Sequence, residues 1–171
     1  MFQKEAMACR AESEVDFELP SNRGWERFWG VLVERFLLDG VESCLMSIGF
    51  SGEFFLRDGS PAGKTVDDYS VEFSQVVVHF EDLRALVQRL SRWLETPSEF
   101  SWEAQAGDNG LGMEVGVMPQ VVSRHDRPGC RIWFRRDVMR FECAFVVDYS
   151  CLLMLRDGLV SALRRFSLPV Q

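Results

Sequence analysis

A glycine-rich segment at residues 59–65, GSPAGKT, is the part of the sequence closest to a known chemical motif. A phosphate-binding P-loop has a glycine, four residues of any type and then Gly-Lys-Ser/Thr, so that backbone N–H groups and the lysine surround a phosphate. Here only three residues separate Gly59 from Gly63. Starting at Asp58 restores the length but puts a carboxylate in place of the first glycine, and a predicted strand follows instead of a helix. The sequence therefore predicts no nucleotide site.

Nucleophilic catalysis needs a serine or cysteine beside a base, and the two histidines, His79 and His125, are the bases that the sequence offers. Residues 49–53, GFSGE, resemble a nucleophile elbow around Ser51, but the second glycine is not at the required place. His79 ends an apolar run, which is typical of a rim or capping residue, and His125 lies in a polar segment that predicts a loop. We therefore predict that the protein is not an enzyme and has no catalytic residues.

The cysteines are the remaining candidates for reactive or metal-binding groups. There are five of them: Cys9, Cys44, Cys130, Cys143 and Cys151. The number is odd, no Cys-x-x-Cys pair occurs, and most lie in apolar segments, which predicts core cysteines in a reducing compartment. The histidine, cysteine and carboxylate spacings match no zinc or calcium motif. We predict no metal and no cofactor.

Four arginines straddle one predicted hairpin: Arg131, Arg135, Arg136 and Arg140. They could hold an anion, but Asp137 and Glu142 lie between them, which favours charge pairs across the strands. The paired carboxylates at 67–68 and 81–82 are adjacent in sequence, so that a strand or a helix would point them apart. Neither arrangement predicts general acid–base chemistry.

The formal net charge is −7 and the pI is about 4.9. An acidic chain disfavours nucleic acid and anionic membrane surfaces as partners, because both require a basic field. Residues 1–100 carry eighteen acidic and ten basic residues, whereas residues 101–171 carry eight and nine, so that the acidity lies in the first part. Residues 1–18 lack the apolar region of a signal peptide, and no apolar stretch approaches the roughly 18 residues of a membrane span. We expect a cytoplasmic protein.

Apolar periodicity predicts about three helices, at residues 25–37, 81–95 and 149–166. The first has apolar residues, two of them Trp, at helical spacing, and Gly40 follows its end. The predicted strands are 43–50 and 53–57 around a turn at 51–52, then 71–80, 100–106 and 111–118 around Asn109-Gly110, 131–135 and 141–147. Runs of strands punctuated by helices predict an α+β fold with a mainly antiparallel sheet. Residues 1–20 form a tail or an edge strand, and residues 21–171 a single domain.

Several segments between residues 71 and 169 have a familiar layout. VEFSQVVV (71–78) runs into LRALVQRL (83–90), and FECAF (141–145) is followed by DYSCL (148–152) and a helix that ends in RRF (164–166). This layout resembles the small immunity proteins of bacterial polymorphic toxin systems, particularly those paired with wall-associated toxins. The resemblance implies that the protein binds and neutralises a cognate toxin by occluding it, without a catalytic group.

The resemblance and the acidic first part together predict a protein partner with a basic face. The predicted contact residues are the acidic group Asp67, Asp68, Glu72, Glu81 and Asp82. Two alternatives remain open at this point. The first is an acidic secretion chaperone for an effector, which fits a helix–strands–helix–strands–helix order. The second is an enzyme or small-molecule binder with an unrecognised site.

Overall fold

The computed structural model describes residues 15–21, 26–55, 65–116 and 129–167. Of residues 53–55, 65–68 and 167 it describes the backbone alone. Within the described residues, a group of four strands followed by one helix occurs twice. The elements are β1 (Phe17–Pro20), β2 (Arg27–Leu38), β3 (Val41–Phe55), β4 (Thr65–His79), α1 (Phe80–Glu95), β5 (Phe100–Ala106), β6 (Asn109–Val115), β7 (Gly129–Arg136), β8 (Met139–Val146) and α2 (Tyr149–Ser167).

The strands form two four-stranded sheets, β1-β2-β3-β4 and β5-β6-β7-β8, in which every neighbouring pair is antiparallel. Each strand pairs with the next one along the chain, so that both sheets are meanders. The predicted α+β class with a mainly antiparallel arrangement is confirmed. The predicted number of about three helices is wrong, because the described residues contain two.

The predicted helix at residues 25–37 is strand β2 over its described part. Phe28 and Leu32 point into the core, whereas Trp29 points to the other side of the sheet, where it pairs with Gly49 of β3. Because this strand carries apolar residues on both faces, two alternating sets overlap, and their sum imitates the i, i+3, i+4 spacing of a helix. The Trp, Phe and Val content, with Gly30 inside the segment, favours a strand.

The predicted turn at residues 51–52 is also wrong, since β3 runs through it without a break. Ser51 pairs with Arg27 on one side and with Ser70 on the other. Gly52 lies opposite Tyr69, and a Cβ on this glycine would come within 2.7 Å of the tyrosine ring. The glycine therefore provides room for a cross-strand aromatic ring and does not mark a turn.

The second sheet follows its prediction more closely. The β5–β6 hairpin forms as expected, but its turn is at Gly107-Asp108, because Asn109 already pairs with Ala106. Gly107 has a positive φ of 63°, a conformation that glycine adopts without strain. Helices α1 and α2 match the predicted ranges to within one residue, and the Asp148 carboxylate caps α2 by accepting a hydrogen bond from the Cys151 N–H at 2.9 Å.

One core lies between the inner faces of the two sheets and the two helices. Aromatic rings join the sheets: the ring centroids of Phe50 and Phe141 are 4.8 Å apart, and those of Phe73 and Phe134 are 4.6 Å apart. Burial of one such ring contributes about 2–3 kcal/mol. Helix α2 also packs on β1, where a Cβ on Gly158 would lie 2.9 Å from Phe17 Cα.

Strand β4 contains an irregularity that one arginine stabilises. Its register against β3 shifts at Ser74 and Gln75, and Gln75 has a positive φ of 57°. Arg136 reaches across from β7 and donates hydrogen bonds to the Ser74 and Gln75 carbonyl oxygens at 2.7 and 3.1 Å. Its Nε donates to Asn109 Oδ1 at 3.1 Å, and its guanidinium lies 5.3 Å from the Phe134 ring. Arg136 thus ties the second sheet to the first.

Candidate functional site

The outer face of the first sheet, opposite the core, is unusually apolar. Pairing and alternation place six large apolar side chains on it, and we call this set the apolar outer face: Trp29, Val31, Phe36, Leu38, Leu45 and Val77. Trp29 is 5% exposed, and the other five are half-buried. The solvent face of an antiparallel sheet ordinarily alternates to polar residues.

Exposed apolar residues extend this face towards the β2–β3 hairpin. Val33 is 57% exposed at the β-bulge of β2, and Val41 is 39% exposed beside the Asp39-Gly40 turn, whereas the exposed Leu37 pairs with Glu42 on the other side of the sheet. Exposed apolar residues on the solvent side of a sheet are characteristic of a protein contact.

Two carboxylates on this surface, one in its hairpin turn and one at the start of α1 form no ion pair with the described residues. They are Glu34, Asp39, Glu72 and Glu81, and all four are exposed. Two nearby carboxylates are already paired, Glu18 with Arg27 at 2.6 Å and Glu42 with Arg35. The surface therefore combines an apolar centre with uncompensated negative charge.

The five acidic residues predicted as the partner contact lie in a row along β4 and into α1. Asp67 and Asp68 pair with Phe54 and Glu53 near the start of β4, and only their backbone is described. Glu72 lies opposite Gly49, and Glu81 follows the strand end. At about 3.3 Å per strand residue, the row is roughly 40 Å long. These residues do not form one compact cluster, and their contact with a partner stays a prediction.

Asp82 differs from the other acids because it is only half-exposed. Burial raises the pKa of its carboxyl group, and the positive charge of a protonated His79 acts in the opposite direction. The Asp82 carbonyl oxygen accepts a hydrogen bond from Trp102 Nε1 at 2.7 Å, which connects α1 to β5. This residue therefore has a structural contact of its own.

The outer face of the second sheet is charged and internally paired. Arg131 forms ion pairs with Glu114 at 2.6 Å and Glu142 at 3.3 Å, and Arg140 pairs with Glu142 at 3.2 Å. Between these arginines lies Trp133, whose ring centroid is 5.6 and 5.8 Å from the two guanidinium groups. The cross-strand charge pairing predicted for the arginines is confirmed for Arg131, whereas Arg140 pairs with Glu142 of its own strand.

One serine and one histidine approach each other like a nucleophile and its base. Ser43 Oγ lies 2.7 Å from His79 Nδ1, at the end of the β3–β4 pair. Ser43 is 0% exposed, and its hydroxyl also lies 3.0 Å from the Val41 carbonyl oxygen. A fully buried hydroxyl that is bonded on two sides cannot meet a substrate. His79 occupies the position before α1, but its side chain contacts Ser43 and makes no capping hydrogen bond to the helix.

The described cysteines are apolar core residues or lie close to the core. Cys44, Cys130 and Cys151 belong to it, and Cys143 Sγ lies 3.4 Å from the Tyr69 hydroxyl. Burial raises the pKa of the Cys44 thiol to about 12, and burial also raises the pKa of the Cys130 thiol. Burial therefore favours the protonated thiol, whereas the thiolate is the form that attacks electrophiles or binds metals. The prediction of core cysteines is confirmed for Cys44, Cys130 and Cys151.

Some predicted features lie outside the described residues: Cys9, His125 and most of the glycine-rich segment at 59–65. Among the described residues, no group of three or more His, Cys, Asp or Glu could hold a metal ion. The space enclosed at the centre of the core has a volume of about 10 Å³, room for at most one water molecule.

The apolar outer face is the feature that sequence reasoning missed. Its signal was present in residues 28–38, where neighbouring positions are both apolar, but the same residues also match a helical stripe. A strand assignment there would have revealed a sheet that is apolar on both sides.

None of the described helices is long and apolar enough to cross a membrane. In comparisons with protein-family models, curated proteins and solved structures, the chain matches none of them. The similarity to toxin-immunity proteins accordingly stays a prediction that rests on the sequence layout.

Proposed function

We propose that the protein binds and neutralises a cognate bacterial toxin or effector protein by occluding it. The observation that carries this proposal is the apolar outer face, with its unpaired carboxylates. Apolar side chains on a solvent-facing sheet lower the free energy when another surface covers them. Neutralisation by occlusion requires such a surface and no reactive group.

The negative charge supports the same function through the kinetics of association. Carboxylates that are not neutralised within the protein attract a basic partner and increase the association rate constant, most strongly at low ionic strength. Glu72 and Glu81 are exposed members of the predicted contact group and form no ion pair with any residue that the structure describes. A toxin domain with a basic face is therefore the proposed partner.

The two alternative functions receive less support. The secretion-chaperone interpretation used an order that begins with a helix, and the described residues of that segment form β2 instead. A small-molecule site inside the core would need far more space than about 10 Å³. Outside the core, an open cleft of about 880 Å³ lies at one end of the second sheet, lined in part by Phe100, Glu114 and Arg131, and a small molecule would have to bind there.

The proposal is tested by co-expression with candidate toxin domains, with bacterial growth and a purified complex as readouts. We expect restored growth and co-purification of a folded toxic domain. Co-purification of an unfolded effector segment would favour a chaperone. If the protein binds toxins but protects cells against none of them, neutralisation is contradicted.

The acidic group is tested with the variant in which Asp67, Asp68, Glu72, Glu81 and Asp82 are all changed to Lys. Reversal of the charge should reduce the association rate constant for the toxin about tenfold or more at low salt. Stopped-flow or surface plasmon resonance measures this rate. The matched control is Glu103→Lys, on the exposed outer face of the second sheet, and an unchanged rate in the five-lysine variant would exclude the acidic group.

A further inference from the structure

We infer that the apolar outer face is the contact surface itself, and that its partner presents an apolar patch ringed by lysine or arginine. This inference rests on the proposed function and specifies where the partner binds and which chemistry it must carry.

The central part of the surface fits an apolar partner. Phe36, Leu38 and Leu45 are large, lie on neighbouring strands and retain accessible area on the side opposite the core. Val33 and Val41 extend this area towards the hairpin turn, with exposures of 57% and 39%. Aromatic and aliphatic side chains at the centre of an interface contribute most of the binding free energy.

The charge around this centre fits a basic rim on the partner. Glu34 lies on β2, Asp39 in the β2–β3 turn and Glu72 on β4, so that acids occur on several sides of the apolar residues, and Glu81 follows β4 at the start of α1. None of the four pairs with a described cation. A partner with lysine or arginine at these points would neutralise them, whereas a neutral partner would leave the carboxylates partly desolvated and unpaired.

The same charges argue against a second copy of this chain as the occupant. Two copies joined through this face would bring their acidic rims together, and like charges across an interface oppose association. The outer face of the second sheet is a weaker candidate for a basic partner. Its Glu114 and Glu142 are already paired with Arg131 and Arg140.

The test uses peptides selected from a random phage-displayed library on the immobilised full chain. We expect the bound peptides to combine aromatic or aliphatic residues with an excess of lysine and arginine. Binding should weaken at least tenfold in Glu34→Lys/Glu72→Lys and in Val33→Asp/Val41→Asp, and less than twofold in the control Glu103→Lys/Ala144→Asp. The first variant changes exposed carboxylates only and serves if the aspartate variant fails to fold.

Two results would overturn the inference. The first is a peptide result: either the selected peptides have no excess of basic residues, or only the control variant weakens their binding. The other is a concentration-dependent dimer in sedimentation analysis that Val33→Asp/Val41→Asp dissociates. Toxin neutralisation is measured separately. If the first-sheet variants still neutralise the toxin fully, the inferred contact surface is wrong and the proposed function stands. If the wild-type protein neutralises no toxin, the proposed function fails whatever the peptides show.

Discussion

The outer faces of the two sheets differ although their inner faces are alike. Both inner faces contribute Phe, Ile, Met and Cys side chains to one core. On the outer side, the first sheet carries apolar residues and acids that pair with no described cation, whereas the second carries arginine–glutamate pairs that neutralise each other. A sheet whose solvent face is polar, with its charges paired to one another, gains little free energy when another protein covers it. The first sheet lacks this property, and its outer face is therefore where we expect binding.

The two outer faces also share one feature. Each outer face has a tryptophan directly opposite a glycine of the neighbouring strand, Trp29 opposite Gly49 and Trp133 opposite Gly112. In both pairs, a Cβ on the glycine would overlap the indole ring. The surroundings differ, because Trp29 is 5% exposed while Trp133 is half-exposed between two arginines.

The largest expected effect comes from filling these two glycine positions. Gly49→Ala should reduce the free energy of unfolding by about 3 kcal/mol, because the enclosed Trp29 ring has little room to move. Gly112→Ala should cost only about 1 kcal/mol, because the Trp133 ring can turn towards solvent. Urea denaturation followed by far-UV circular dichroism measures both.

Gly129→Ala is the control for this pair, because no heavy atom lies within 4 Å of the position its Cβ would occupy. If the two alanine variants lose equal free energies of unfolding, Trp29 and Trp133 are equally constrained, although their exposures differ.

A smaller effect is expected from the arginine that joins the two sheets. Arg136→Met removes the hydrogen bonds to the Ser74 and Gln75 carbonyl oxygens and should cost about 2 kcal/mol, since bonds to a charged donor contribute more than neutral ones. The neighbouring Arg135 is exposed on the outer face, so that Arg135→Met should change stability by less than about 0.5 kcal/mol. Thermal unfolding of the two variants tests this, and a similar loss in both would remove Arg136 from its proposed role.

The smallest effect concerns the charge pairing of the second outer face. A double-mutant cycle of Arg131→Ala and Glu114→Ala should give a coupling of about 0.5 kcal/mol, because both side chains are more than a third exposed. The coupling should fall as salt increases. A coupling above about 2 kcal/mol that is insensitive to salt would mean that this face is organised more rigidly than its exposure indicates.

The elements that local chemistry determines were predictable from the sequence. Helix α1 has a single apolar stripe, with Glu81 and Asp82 in its first turn, and α2 has its Asp148 cap. The β5–β6 hairpin has its turn glycine and regular alternation, with every second residue of β5 buried or half-buried. In these segments, one face is apolar and the other polar, so that the period is unambiguous.

The first sheet could not be predicted in the same way. Strand β2 has apolar residues on both faces. The two-residue alternation of apolar and polar side chains that identifies a strand is therefore missing from its sequence. The shift at Gln75 depends on Arg136, which lies 61 residues further along the chain. The clustering of unpaired acids around apolar residues likewise follows from strand pairing, which sequence neighbours do not encode.

The packing of α2 on β1 has a consequence for how the chain acquires its structure during synthesis. Strand β1 is at the edge of the first sheet, and the helix that covers it at Gly158 leaves the ribosome only after the whole second sheet has been made. Until then, a sheet with apolar residues on both sides and an open edge is vulnerable to aggregation. Slow translation of the second part should therefore lower the soluble yield, and early binding of a chaperone to the first part should raise it.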